Sequence, residues 1–242
     1  MTRVTELEAP GTSAPAENAQ AAPRTHANPW PRVDLKDLKL PIAIAKYLVA
    51  KGVSPNAVSL AGMLFSIAAG VSLAFATSTV AAPLAWFAAA TFIVARLFAN
   101  KLDGMVAREA GRTSPIGLIY NEVPNRISDV FVLVGLGFAA GGAPTLGWLA
   151  ALLAVFVAYV RLQVDETGAR EESPGLLEKC HHLLIVVLCA LWCSFNPPAP
   201  SDNGFLTAPT LALTAVALAS VWTTFRRLSN ALNLLRIGDT SA

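Results

Sequence analysis

Six apolar stretches follow one another along this chain, each close to bilayer length and each bounded by polar or turn-forming residues. A helical span takes roughly 20 mostly apolar residues. The first stretch runs from about Asn56 to Ala76 and is entered through Ser54-Pro55, a plausible N-cap followed by proline in the first turn. The second runs from about Pro83 to Arg108, and the third from about Pro115 to Ala139, ending at Gly141-Gly142. The fourth covers Pro144 to about Arg161, the fifth about His181 to Phe195, and the sixth about Thr207 to Phe225. The fifth is short and can begin several residues earlier; it stops at Asn196-Pro197-Pro198. Ahead of them, Leu35 to Lys51 sets apolar pairs against lysines at helical spacing, the pattern of an amphipathic helix lying on a membrane surface. Met1 to Asn28 is polar, rich in Ala, Pro and Thr, and has no apolar core of a signal peptide. It buries too little apolar surface to offset its ordering entropy, so it is expected to be a disordered tail. The expected fold is an all-α integral membrane protein. It has a cytoplasmic tail over 1–33, an interfacial helix over 34–52, six transmembrane helices within 53–228 and a cytoplasmic C-terminal tail over 229–242. There is no sequence repeat.

Composition agrees with this pattern. Hydrophobic residues make up 54% of the 242 and charged residues only 14%, where soluble domains carry roughly 25%. The net charge of +2 is too small for a nucleic-acid partner, and no basic stripe is interleaved with aromatics. Cys180, Cys189 and Cys193 lack zinc-type spacing and read as buried thiols. Lys and Arg fall before the first span (Lys36, Lys39, Lys46, Lys51), between the second and third (Arg108, Arg112), between the fourth and fifth (Arg170, Lys179) and after the sixth (Arg226, Arg227, Arg236). The other three connections hold none. That alternation is the positive-inside pattern and predicts both termini on the cytoplasmic side of a cell membrane.

The second and third stretches carry groups that lipid does not tolerate without a reason: Arg96, Asn100, Lys101, Asp103 and Arg108 on one, Asn121, Glu122, Asn125, Arg126 and Asp129 on the other. At 100° per residue, Asn100, Asp103, Gly104 and Ala107 share an arc of about 100°, and so do Asn121, Asn125, Asp129 and Glu122. The short connection between the helices makes them antiparallel neighbours, so the two polar faces are expected to meet about two turns in from the cytoplasmic side. A single such residue is as readily helix-to-helix glue as function. Each ionisable group costs about 2.5–3.5 kcal/mol to insert, so the whole cluster points to a site.

The spacing says more than the charge. From Asn100 the chain reads N-x2-D-G-x2-A-R-x8-G-x3-N-x3-N, through Asp103, Gly104, Ala107, Arg108, Gly117, Asn121 and Asn125. This resembles the CDP-alcohol phosphatidyltransferase signature D-x2-D-G-x2-A-R-x8-G-x3-D-x3-D; every gap matches, and three of the four aspartates are asparagine here. The six-span layout, the preceding amphipathic helix and the Ser-Pro-Asn entry resemble the family too, so the likeness runs from about Leu35 to Arg227. It is similar in particular to a subgroup with Asn at the first and third positions and an acidic residue after the third. It departs from that subgroup at Asn125.

The resemblance implies transfer of a phosphatidyl-type group from a CDP-linked lipid to an alcohol acceptor, with release of CMP, in phospholipid biosynthesis. It implies Mg²⁺ or Mn²⁺ held by Asn100, Asp103, Asn121 and Glu122, and a nucleotide lying along Gly104, Ala107, Arg108 and Gly117. The base position falls on Asn125, with Asp129 one turn further on the same face; a neutral amide is a poor base. Homodimerisation is a further implication by analogy. Among the basic residues at the cytoplasmic end of the fourth and fifth spans, Arg161 and Lys179 are candidates for an anionic acceptor, although charges there also serve to set topology. Adjacent His181 and His182 lack the spacing of helical metal ligands. Trp86, Trp148, Trp192 and Trp222 are expected to pack or to sit at the lipid interface. The competing expectation is a catalytically impaired relative that binds CDP-lipid or organises other membrane enzymes. A transporter is weaker, because the cluster sits near one face without broken helices.

Overall fold

The computed structural model describes residues 39–77, 80–109, 115–167, 181–199 and 206–239. All regular structure among them is helical: α1 (Lys39–Ala50), α2 (Pro55–Ala74), α3 (Ala82–Glu109), α4 (Pro115–Phe138), α5 (Pro144–Glu166), α6 (His181–Phe195) and α7 (Ala208–Asp239). Ser54 caps α2, its hydroxyl accepting from Ala57 N at 3.2 Å with Pro55 in the first turn, as the sequence predicts. The N-terminal segment 1–33, Cys180 and Lys179 lie outside the described residues. The segment from 229 to 239 differs from a tail: it continues α7 as helix.

Among the described residues, four helices are long and apolar enough to cross a membrane: α2, α3, α5 and α7. The other two expected spans fall short for opposite reasons. The first half of α4 carries Glu122, Arg126 and Asp129, while α6 is strongly apolar but has only 15 residues, roughly 22 Å against a hydrocarbon core of about 30 Å.

The helices close into a ring, each packing on the next in the order α3, α2, α4, α5, α7, α6 and back to α3, with α1 laid against α3. Glycines set the tightest crossings. A Cβ on Gly135 would lie 2.7 Å from the Gly70 Cα, and one on Gly137 would lie 2.9 Å from the Gly147 Cα. Backbones therefore touch where α4 crosses α2 and α5, the small-residue contact typical of helices in lipid. At the same end Thr210 Oγ1 donates to the Gly141 carbonyl at 2.9 Å, tying the start of α7 to the α4–α5 turn. Leu73, Trp86, Ile93, Leu133, Leu136, Val186, Leu213 and Val216 fill the interior of this half. Trp148, Trp192 and Trp222 are exposed on the outside of the bundle while Trp86 is buried, the two roles expected of tryptophan here.

The other half is built differently, and it corrects one expectation. Among the described residues, no α-carbons of α3 and α4 come within 8 Å of each other. Their polar faces do not pack together as neighbours. α2 stands between the two helices on one side and α6 contacts both on the other, which leaves a cleft with α3 and α4 as its walls. Hydration and ligand contact, not helix packing, are what polar faces on such walls are free to serve.

Candidate active site

The α3 wall carries the first half of the motif. Asp103 is 7% exposed. Ser59 of α2 donates its hydroxyl to Asp103 Oδ2 at 2.9 Å, and the Gly104 backbone N–H lies close enough to favour the charged carboxylate. Ser59 reaches because Gly62, one turn along, lets α2 close on α3: a Cβ there would stand 3.2 Å from the Ala99 Cβ. Asp103 thus has only neutral hydrogen-bond partners among the described residues, with Arg96 and Lys101 within electrostatic reach. Asn100 is half-buried, Ala107 half-buried and Arg108 exposed. At Gly104 a Cβ would meet nothing within 4 Å, so the bare surface is not required by protein packing.

The α4 wall carries the second half, and its carboxylates are all paired with cations. Glu122 takes the Arg161 guanidinium of α5 in a close ion pair and lies 3.8 Å from Arg126. Asp129, buried, is 3.2 Å from Arg126 Nη1 and 2.9 Å from His182 Nε2 at the start of α6. Asn125 Nδ2 donates to Asn121 Oδ1 at 3.1 Å. Pro124 lies between them inside the helix, and its missing N–H withdraws the bond that the Tyr120 carbonyl would receive. Gly117 falls in the first turns of α4.

One side chain joins the walls. Arg96, 2% exposed, donates from Nη2 to Asn125 Oδ1 at 2.8 Å. It lies one turn before Asn100, inside the arc of the α3 motif face. With 1.5 Å rise per residue, Asn100 and Asn121 stand about 6 Å above this bond on opposite walls, and Asp103 about 10 Å above it. On the same scale Glu122, with Arg161, stands about 4.5 Å above this bond, below Asn100, Asn121 and Asp103, and Asp129, with His182, about 6 Å below it.

Asn100 and Asp103 on α3 and Asn121 and Asn125 on α4 thus stand on two helices joined through the Arg96–Asn125 bond. Arg161, the candidate for an anionic acceptor, is paired with Glu122 in this structure. Three participants were missed or undervalued by sequence reasoning. Arg96 shares the motif arc and was legible from that. His182 has no local signal, since its partner lies on another helix. Ser59 is one of several hydroxyls on α2; Ser66 and Ser72 bond carbonyls of their own helix, and only tertiary structure separates Ser59 from them.

No three His, Cys, Asp or Glu side chains among the described residues gather as a metal cage. The donors present still suit a hard cation. A magnesium-type ion is held through one or two carboxylates, with waters and substrate phosphates completing its shell; here Asp103 supplies the carboxylate and Asn100 and Asn121 supply carbonyl oxygens.

A helical bundle with four bilayer-length apolar helices, and hard oxygen donors beside basic side chains at one end, defines a membrane protein with a site suited to phosphate chemistry. The chain belongs to the CDP-alcohol phosphatidyltransferase family, the match covering residues 52–226. Members of this family move a phosphatidyl-type group from a CDP-linked lipid to an alcohol with Mg²⁺ or Mn²⁺, releasing CMP, and that is the activity class of this chain. It is 28% identical over 193 residues to the phosphatidylinositol phosphate synthase of Mycobacterium tuberculosis, covering 74% of this chain and 84% of that protein. It is 30% identical to that of Mycobacterium marinum, covering 74% and 78%. The archaetidylinositol phosphate synthase of Pyrococcus horikoshii is 24% identical over 62% of this chain and 75% of its own length. In fold it is similar to the crystal structure of the M. tuberculosis synthase in complex with manganese and citrate (TM-score 0.63, 24% identity, 79% of this chain and 88% of that one). It is also similar to the same enzyme with CDP-DAG bound (TM-score 0.61, 23% identity, 79% and 93%).

Proposed function

We propose that this chain transfers the phosphatidyl group of CDP-diacylglycerol to a phosphorylated, inositol-type alcohol from a cleft at the cytoplasmic end of a six-span bundle. The observation that carries the reading is the meeting of the two motif halves on facing walls of one cleft, with the carboxylate of Asp103 in no ion pair among the described residues. The donor and acceptor classes rest on what the similar synthases are named for and were crystallised with. The alternation of Lys and Arg between connections supports the cytoplasmic orientation. In this reading α4 and α6 span, α4 with its charges turned into the cleft. α1 lies on the inner leaflet, with Lys46, Tyr47 and Lys51 outward and Ile44, Ala45 and Leu48 against Leu102 and Val106. The nearest precedent within the family is the subgroup with Asn at the first and third motif positions.

Asp103, Asn100 and Asn121 would hold the cation, and Glu122 would lend negative charge beside Asn121 while paired to Arg161. When bound, the ion neutralises the pyrophosphate and polarises the phosphoryl group. Gly104, Ala107 and Gly117 leave room for the cytidine nucleotide, with Arg108 beside it. Arg161 and Lys179 draw an anionic acceptor to the mouth. The acceptor hydroxyl oxygen forms a bond to the phosphatidyl phosphorus as the bond from that phosphorus to CMP breaks. The hydroxyl proton passes through water to the Asp129–His182 pair, which stands about 6 Å below the Arg96–Asn125 bond and in which the carboxylate orients the imidazole.

A second reading has its own observation. Asn125 occupies the base position and its carbonyl is already bonded to Arg96, the arrangement of a member that binds CDP-lipid without turning it over. CMP release from CDP-diacylglycerol, measured with inositol phosphate, inositol and glycerol phosphate under Mg²⁺ or Mn²⁺, decides between them. Release with a phosphorylated acceptor supports transfer. CDP-diacylglycerol binding with no release from any acceptor supports the second reading, and failure to bind removes both.

A further inference from the structure

The pairing of Arg96 with Asn125 is a direct side-chain bond that crosses from α3 to α4, and it falls on the fourth motif position. Building on the reading above, we infer that Arg96 is an internal cation closing that position to metal, so that the site takes a single divalent ion, at Asp103.

Geometry comes first. Asn125 Oδ1 accepts from Arg96 Nη2 at 2.8 Å. A divalent ion ligated by the same oxygen at about 2.1 Å would sit within about 5 Å of the guanidinium. Arg96 is 2% exposed, so water does little to screen that repulsion. Asn125 Nδ2 is turned the other way and donates to Asn121 Oδ1, which fixes the amide so that its carbonyl faces the arginine.

Charge points the same way. Four motif carboxylates would offset two divalent ions; this chain has replaced three of them by amides. The one that remains, Asp103, already has Arg96 and Lys101 within electrostatic reach, so a second ion would find little negative charge to offset it.

Removing the arginine and restoring the carboxylate should therefore reopen the position. The full-length protein in detergent, saturated with CDP-diacylglycerol, is titrated with Mn²⁺. Bound ions are counted by equilibrium dialysis, and the electron paramagnetic resonance spectrum is inspected for the spin coupling of an ion pair. Wild type is expected to hold one Mn²⁺ with an uncoupled spectrum. Asn125→Asp alone is expected to hold one, because the new carboxylate pairs with Arg96 in place. The double variant Arg96→Gln/Asn125→Asp is expected to hold two, with coupling. Melting temperature and elution volume check that each variant is folded, and Arg96→Met/Asn125→Asp is the alternative if the glutamine variant is not. Two ions in wild type overturns the inference. One ion in a folded double variant also overturns it, since Arg96 is then not what closes the position. No ion in wild type overturns the metal site proposed above, and this inference with it; that result differs from the other failures in appearing before any substitution.

Discussion

The two walls of the cleft hold the two halves of one motif, yet they differ in how their charge is used. On α3, Asp103 meets a hydroxyl and a backbone N–H, and the neighbouring Gly104 faces open space. On α4, every carboxylate is matched by a guanidinium or an imidazole, and the amide at the fourth position is matched by Arg96. An unpaired carboxylate in a dehydrated cleft is costly unless something else supplies positive charge. A carboxylate that already has its cation is at rest. The α3 wall is thus the incomplete one, arranged for an ion and a nucleotide to arrive. The α4 wall is complete in the protein alone and serves to position, orient and accept a proton.

The largest expected effect tests this asymmetry directly. Asp103→Asn removes the motif carboxylate, which has no ion pair among the described residues, and CMP release should fall by about 10³-fold, corresponding to the several kcal/mol a positioned metal contributes. Mn²⁺ binding should be lost with it. An Asp103→Asn protein that keeps a tenth of wild-type release would place the reactive charge elsewhere.

Next in size is the Asp129–His182 pair. His182→Gln retains a hydrogen-bond donor toward Asp129 but cannot take a proton, so release should drop by roughly 10²-fold, the lower end of what a general base supplies. CDP-diacylglycerol affinity should not move. A parallel loss of affinity would make the Asp129–His182 contact a structural tie between α4 and α6.

A smaller effect separates ligand surface from packing surface. Gly104→Ala adds a methyl where nothing lies within 4 Å, so the melting temperature should hold while CDP-diacylglycerol binds about tenfold more weakly, a loss of about 1.4 kcal/mol. The same change at Gly135 drives a Cβ into the Gly70 backbone, and should lower stability by about 1–3 kcal/mol. If Gly104→Ala melts early and binds normally, the open face at α3 is not the nucleotide surface.

Much of this was legible before any coordinates. The hydrophobic pattern located all seven helices, with the first four span starts within one residue of α2 to α5, because proline and polar turns punctuate the stretches sharply. The motif arcs on α3 and α4 followed from helical periodicity alone. Two things were not legible. A short α3–α4 connection suggests neighbours in contact, but the separation of the walls depends on the Gly62, Gly70 and Gly135 crossings that draw α2 between them. The pairing partners of Glu122 and Asp129 lie on α5 and α6, dozens of residues away, and helical period says nothing about which faces of distant helices meet. The C-terminal residues after Phe225 are polar enough to read as a tail, yet continue as helix.

The smallest expected effect is at Asn125, where the sequence alone would forecast a large one. Restoring the family's carboxylate with Asn125→Asp returns a base to its motif position, and on that ground release should rise by roughly 10²–10⁴-fold. The structure argues otherwise. Arg96 Nη2 already stands 2.8 Å from the oxygen that becomes the carboxylate, and a buried guanidinium next to an acid forms a charge-assisted pair that holds it ionised and occupied. A base so held gains little by taking a proton, because it would have to give up its arginine to do so. Release should therefore change by less than about threefold, within the scatter of a neutral substitution near a site, and the variant should melt no earlier than wild type because the new ion pair is fully made. If release instead climbs by a hundredfold, Arg96 yields the acid to substrate, the α4 wall is as incomplete as the α3 wall, and the contrast between them fails.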